Sequence, residues 1–411
     1  MKRTIDQIDV RGKRVLVRLD LNVPLENGRV ADDTRIRAAL PTIKKLIEGG
    51  GRLILLSHLG RPEGDPQART KYTLAPVAQR LGELLGRPVR FVNDCIGETP
   101  KRAAAELKNG DVCLLENVRF HEAEQIKDKK AAENPKLKEE KQAFAGQFAD
   151  LADVYVNDAF GTCHRDNASM LTVPQLMAGK PRVIGYLVQK ELRFLGEAVG
   201  APKRPFVCLL GGAKVSDKLG VIQSLLSKCD AILIGGAMAF TFLAAEGMEV
   251  GKSLVEPDLF ETARSLRGQT REKLRLPVDV VTAAEIKENV PTRIVAVGEA
   301  IPPGYMGLDV GPRTIQEYRD VVLAARTIVW NGPMGVFETP PFDAGTRAMA
   351  EALAAATDRG AVTIVGGGDS GAAIQQAGLA DRVTHISTGG GAALEFLEGK
   401  RFKPLEVLDD A

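Results

Sequence analysis

Short runs of Val, Ile and Leu alternate with helix-periodic stretches from one end of the chain to the other, and this limits the fold more than any other feature. Strands covered on both faces read as near-continuous apolar runs, and parallel strands need a crossover, usually a helix, to join them. Residues 15–17, 53–56, 112–115 and 154–156 are such runs in the first half; 207–210, 232–234 and 362–365 follow in the second, with a last strand-like stretch at His385-Ile-Ser-Thr. Between runs, Ile36, Leu40, Ile43 and Ile47 keep helical spacing, as do Val215, Leu219, Ile222 and Leu226. The pattern predicts an α/β fold of parallel sheets flanked by helices, Rossmann-like in plan. At 411 residues the chain exceeds the size at which one core stops growing, so two domains are expected. A helix over 190–199, with Leu192, Leu195 and Val199 on one face, precedes Pro202-Lys-Arg-Pro205, which cannot continue it. The junction is placed there: a first domain over 1–185, and a second over 186–397 beginning with the connecting helix and hinge.

Composition excludes several classes. A net charge of +2 gives no footprint for nucleic acid. No apolar run approaches the ~18 residues of a membrane span, and the charged N-terminal segment has no apolar signal-peptide core. Five widely spaced cysteines without a Cys-x-x-Cys pair read as buried free thiols in a reducing cytosol. Residues 124–143, rich in Lys and Glu, read as a solvated helical excursion.

The ends of the runs carry the functional signal, because ligands of open parallel sheets bind beyond the carboxyl ends of the strands. In the first half the runs lead into Arg18, Asp20 and Asn22, then Ser57, His58 and Arg61, then Asn117 and Arg119, then Asn157, Asp158, His164 and Arg165. Arg35 adds a cation in a first helical turn, where it opposes the helix dipole; a local pair with Asp32 or Asp33 is the alternative explanation. Arg35, Arg61, Arg119, Arg165 and His58 would repel one another in one cleft unless an anion sat there, and guanidinium forks suit carboxylate and phosphate. Ser57–His58 and Cys163–His164 are not nucleophile–base couples, since neighbours on an extended chain point to opposite sides. In the second half the runs lead into glycine. Lys214 and Lys218 stand one helical turn apart after Gly211-Gly-Ala, and Gly366-Gly-Gly-Asp-Ser-Gly371 opens an Ala-rich helix. A second triplet, Gly389-Gly-Gly391, follows the next run. Bare backbone and a helix N-terminus suit phosphate, and Asp369 is a hard-oxygen ligand for a phosphate-bound Mg²⁺. Gly251-Lys-Ser253 is no P-loop, since Glu246 stands where that motif needs Gly and a helix precedes it. Two unlike anion sites on one chain imply a transfer between them.

Read in order, these segments resemble the phosphoglycerate kinase family along essentially the whole chain. The matching stretches are Arg18-Leu-Asp-Leu-Asn-Val-Pro24, Ser57-His-Leu-Gly-Arg-Pro62, Glu116-Asn-Val-Arg-Phe120 and Asn157-Asp-Ala-Phe-Gly-Thr-Cys-His-Arg165. They continue with Leu210-Gly-Gly-Ala-Lys-Val-Ser-Asp-Lys218, Trp330-Asn-Gly-Pro-Met-Gly-Val-Phe-Glu338, Gly366-Gly-Gly-Asp-Ser370 and Ser387-Thr-Gly-Gly-Gly391. Cys163 and Ser370 depart from the family's common Ala and Thr; the first leaves oxidation sensitivity open, and the second keeps a hydroxyl. The resemblance implies reversible phosphoryl transfer between 1,3-bisphosphoglycerate and Mg-ADP, giving 3-phosphoglycerate and Mg-ATP, after hinge closure. It implies that Asp20, Asn22, Arg35, His58, Arg61, Arg119 and Arg165 bind the glycerate. Lys218, Gly307, Glu338, Gly367, Gly368, Asp369 and Ser370 would bind nucleotide, with Glu338 on the ribose. Arg35, Lys214, Gly367 and Gly390 would serve the transfer itself. It further implies a cytoplasmic monomer without membrane or nucleic-acid partners, and a tail from about residue 398 packed on the first domain. A binding protein without turnover and a kinase for another small carboxylate are the alternatives.

Overall fold

At the two sheet centres Val15, Leu16, Val17, Leu53, Ile54, Leu55, Val207, Cys208, Leu209, Ile328 and Val329 are all buried, so each sheet is the middle layer of a helix–sheet–helix stack. The computed structural model describes the backbone of every residue but Arg271, and every side chain except those of Val199, Gln269 and Arg271. The chain divides into two compact units, Met1–Leu192 with Arg401–Ala411, and Arg193–Lys400.

In the first unit six parallel strands lie in the order Arg90–Val92, Val112–Leu115, Arg52–Leu56, Arg14–Leu19, Val154–Asp158, Arg182–Ile184. Val15, Val17, Leu53, Leu55 and Val156 face the buried apolar stripe Ile36, Ala39, Ile43 and Leu46 of the Thr34–Glu48 helix. The first strand in sequence sits centrally, so the chain winds outward on both sides of it. A crevice therefore opens beyond Leu19, at the topological switch point. The outer edge of the Arg182–Ile184 strand is covered rather than left as a template for other chains. Thr4 bridges Ile184 in parallel, and the Asp409 carboxylate takes hydrogen bonds from Arg182 N at 2.9 Å and Arg182 Nη2 at 2.9 Å. Residues 401–411 group with this unit.

In the second unit the parallel order is Leu274–Arg275, Ala231–Ile234, Phe206–Leu210, Thr327–Asn331, Val362–Gly366, His385–Ile386. The switch point falls between Leu210 and Asn331. A three-stranded antiparallel sheet, Arg293–Ala296, Asp279–Ala283 and Met306–Val310, is an addition that the run pattern does not predict.

Three local expectations change. The connecting helix is longer than expected, Tyr186–Gly200; Leu195 is buried on it, whereas the Val199 side chain lies outside the described residues. The helix after Gly211 starts only at Leu219, so Val215 and Lys214 belong to a loop and Lys218 is the residue before the first turn. That loop is pinned by Glu256, whose carboxylate accepts Ser216 N at 3.1 Å and the Ser216 hydroxyl at 2.5 Å, which replaces a helical turn. Residues 124–143 are helical (Asp128–Glu133 and the start of Pro135–Leu151) but not wholly solvated. Glu124 is buried, and so is Lys141, whose ammonium meets Asp128 Oδ1 at 2.7 Å and Asp166 O at 2.6 Å.

Candidate functional site

At the first switch point the loops after three strands tie into one another. Ser57 Oγ accepts Leu21 N at 2.9 Å, Asn22 Oδ1 accepts Gly60 N at 2.8 Å, and Arg119 Nη1 donates to Gly60 O at 2.6 Å. Buried Asn117 clamps the same turn, donating to Leu59 O at 2.7 Å and accepting Arg119 N at 3.1 Å. Arg35 pairs with the Asp20 carboxylate. The local alternative is absent, since Asp33 instead holds Arg37 at 2.7 Å and Arg80 at 2.7 Å, while Asp32 takes Thr34 N at 2.8 Å.

The field here is strongly positive. Burial would raise the Asp20 carboxyl, but His58, Arg35 and Arg18 outweigh it and hold it below the ordinary range. Burial, followed by Arg165 and Arg18, brings the Arg119 guanidinium down to about 10. His58 is pushed well below the usual histidine value, first by burial; Asp20 opposes, and Arg18, Arg119 and Arg165 add to the lowering. Burial thus favours its neutral form. Arg18 Nη2 lies 3.5 Å from His58 Nδ1, a long contact. A guanidinium can only donate, so at this contact Nδ1 presents its lone pair, and in the neutral ring the hydrogen sits on Nε2. Arg165 Nε contacts His164 Nε2 at 3.2 Å. Asp20, Asn22, Arg35, His58, Arg119 and Arg165 are thus brought together. Arg61 is exposed and follows Gly60, the residue that Asn22 and Arg119 hold.

Sequence reading places Arg18 at a strand end and gives it no role. It is 1% exposed, its Nε donating to Ser169 Oγ at 2.8 Å, and Glu124 takes both the Ser169 hydroxyl at 2.6 Å and Ser169 N at 2.8 Å. The one available signal is an Arg at the end of an otherwise apolar run; it says nothing of Ser169, which lies 151 residues away in sequence, or of His58, which lies 40 away. Cys163 is fully buried, and burial pushes its thiol up, which keeps it protonated and unreactive.

At the second switch point glycines let three backbones touch. A Cβ on Gly211 would lie 2.0 Å from Pro333 O, and one on Gly236 would lie 2.6 Å from Gly212 N. The result is a cleft of about 460 Å³ that reaches Lys214, Lys218, Asp369 and both glycine triplets. Two helices begin at it: Gly368–Gln376, led by Gly367 at φ 91°, and Gly391–Leu397, led by Gly390 at φ 51°. The first amides of a helix have no partner within it, so both starts present donors to an anion. Lys218, lowered by burial while Asp217 and Asp369 oppose, pairs with Asn331 Oδ1. Lys214 and Asp369 are exposed. Ser370 is buried and its Oγ accepts Gly332 N at 2.6 Å, which leaves the hydroxyl hydrogen to donate.

An apolar slot of about 400 Å³ adjoins this cleft and shares Gly212, Ala213, Pro333 and Asp369 with it. Leu254, Ile286, Met306, Leu308 and Val336 line it, with Gly307 and Glu338. Leu254 and Ile286 are 51% and 53% exposed, an unusual pair of large apolar side chains beside an open slot. Gly307 admits no larger residue, because a Cβ there would lie 1.8 Å from the Phe240 ring. The Gly251-Lys-Ser253 segment, dismissed as a P-loop, builds this wall: Ser253 Oγ accepts Gly307 N at 2.9 Å. Leu254, Ile286 and Asn331 escape sequence reading because nothing local marks an apolar or amide residue as a wall.

With this geometry established, comparison with known proteins is unambiguous. A family profile described as Phosphoglycerate kinase matches residues 5–400. The protein named Phosphoglycerate kinase of Rhodopirellula baltica is 53% identical over 413 residues, covering 100% of each chain. That of Anaeromyxobacter sp. (strain K) is 51% identical over 412 residues, covering 99% of each. Among solved structures, phosphoglycerate kinase from Coxiella burnetii superposes with a TM-score of 0.84 at 38% identity, covering 99% of this chain and 98% of that one.

Proposed function

This chain belongs to the phosphoglycerate kinase family, and on that premise we propose that it transfers a phosphoryl group reversibly between 1,3-bisphosphoglycerate and ADP, giving 3-phosphoglycerate and ATP. It is a phosphotransferase with a carboxyl acceptor, and its place is in glycolysis and gluconeogenesis. The observation that carries the reading is the presence on one chain of a cation-rich side-chain site and a glycine-lined cleft beside an apolar slot.

Arg35, Arg61, Arg119 and Arg165 hold the carboxylate and phosphate of the glycerate, with neutral His58 donating from Nε2 and Asp20 and Asn22 fixing the hydroxyl end. The apolar slot takes the adenine, Glu338 the ribose, and Lys218 with the Gly367–Ser370 turn the phosphates. Asp369 fits a divalent cation, being an exposed carboxylate at the mouth of the phosphate cleft. Bound there with the nucleotide, Mg²⁺ supplies neutralisation of phosphate charge. An acyl phosphate already has a good leaving group, so no covalent enzyme intermediate is needed. Catalysis consists of alignment and charge neutralisation by Arg35, Lys214 and the amides at Gly367 and Gly390. Because the two ligand sets belong to different units, hinge closure aligns them and excludes water that would hydrolyse the acyl phosphate. The enzyme is read as a cytosolic monomer: each site is complete within one chain, and all five cysteines are free and buried.

A coupled assay for ADP release tests this. Turnover is expected only when 3-phosphoglycerate, ATP and Mg²⁺ are all present, and it should cease on chelation. Absence of turnover with 3-phosphoglycerate, or equal turnover with unphosphorylated carboxylates, overturns the assignment.

A further inference from the structure

Outside both clefts, one group of side chains has the makings of a metal centre. A carboxylate oxygen of Asp94, the Cys95 sulfur and a ring nitrogen of His121 all lie within 4.8 Å of one another. Two loops bring them together: the turn after the Arg90–Val92 strand, and the junction between the short turns Val118–Phe120 and Glu122–Gln125. His121 Nε2 meets Asp94 Oδ1 at 2.8 Å, and Phe144 packs against the imidazole with ring centroids 5.5 Å apart, which fixes its plane. The sulfur is buried, while the Asp94 and His121 side chains are 38% and 23% exposed, so the group opens to solvent on one side only. Asp94, Glu124 and Glu116 all lie close enough to the sulfur to make its surroundings negative.

We propose that Asp94, Cys95 and His121 bind a borderline-soft divalent ion of the Zn²⁺ type, with water as the fourth ligand. Sulfur and imidazole select such ions over Mg²⁺ and Ca²⁺. Zinc bonds of about 2.3 Å to sulfur and about 2.0–2.2 Å to nitrogen or oxygen set tetrahedral ligand spacings of roughly 3.3–3.6 Å, so small side-chain rotations close the site. On binding, the Cys95 thiol gives its proton to solvent as the sulfur–metal bond forms. The imidazole hydrogen moves to Nδ1, which frees the Nε2 lone pair, and Asp94 exchanges its hydrogen bond from His121 for the metal. A plain Asp–His contact in front of a core thiol would do none of this.

The test is a Co²⁺ titration of the full, nucleotide-free chain, followed by absorption spectroscopy, with Zn²⁺ as competitor. One equivalent of cobalt should produce a sulfur-to-cobalt charge-transfer band together with intense tetrahedral d–d bands, and zinc should displace both. Cys95→Ser and His121→Gln should each abolish the sulfur band or weaken binding at least tenfold, whereas Cys163→Ser and Asp369→Asn should leave it unchanged. His121→Gln alters a partly exposed side chain, so it remains informative if Cys95→Ser fails to fold. No band in the parent chain, a band that survives in His121→Gln at unchanged cobalt affinity, or one lost only in Cys163→Ser overturns the proposal.

Discussion

Arg35 lies in the first turn of the Thr34–Glu48 helix, where a cation costs roughly 0.3–1 kcal/mol against the dipole, and its compensation is the distant Asp20 carboxylate. That pairing holds the planar guanidinium at the crevice. Arg35→Lys keeps the charge and loses the fork. If Arg35 stabilises the moving phosphoryl group, the turnover number should fall by about 10²–10³ with little change in Michaelis constant, as steady-state kinetics would show. A raised Michaelis constant at unchanged turnover would make Arg35 a substrate anchor only. His58 gives a pH prediction. Its value in the folded state is depressed below the ordinary 6.5, so the unfolded chain binds a proton more readily. Its contribution to stability is complete above 6.5 and is lost as pH falls below it, by at most about 1.4 kcal/mol per pH unit. Urea midpoints compared at about pH 7.5 and about pH 5.5 should show a smaller acid-side loss in His58→Gln than in the parent. Sequence could mark His58, beyond an apolar run, and Arg35, in a first helical turn, as candidate anion ligands. It could not reveal that Arg18 comes within 3.5 Å of His58 Nδ1, because that depends on one strand lying beside the loop that follows another.

Glycine-led elements shape the second site. Gly367 and Gly390 adopt positive φ at the residue before a helix, so the triplets can be read from sequence as close-approach turns. Gly211 needs glycine for another reason: its α-carbon abuts the Pro333 carbonyl, which is backbone and cannot swing aside. Gly211→Ala should cost about 1–3 kcal/mol in denaturant stability and raise the Michaelis constant for nucleotide more than that for 3-phosphoglycerate. Equal effects on both substrates would mean that the cleft is not the nucleotide site. The periodicity of residues 215–226 was legible, but the place where the helix begins was not. Glu256, 40 residues from Ser216, supplies the hydrogen bonds that hold the preceding loop out of the helix.

At the scale of the molecule, the predicted glycerate and nucleotide residues fall in different units, Met1–Leu192 with Arg401–Ala411 and Arg193–Lys400. The proposed in-line transfer would require ligand-driven closure. Small-angle scattering should give a smaller radius of gyration with 3-phosphoglycerate and nucleotide together than with either alone; an unchanged radius in the ternary complex would refute closure. The alternation of apolar runs and helical periods by itself determined the parallel α/β class, because a strand enclosed on both faces must be apolar throughout and must return through a crossover. The residues just past those runs fixed where the candidate anion sites are proposed, because parallel strands all end on one side of a sheet. Tertiary structure alone decided the strand order that sets each switch point, the antiparallel sheet that walls the apolar slot, and the Arg18–Ser169–Glu124 network. Those depend on which distant segments desolvate each other, and a buried charge such as Arg18 is tolerated only where such partners meet it.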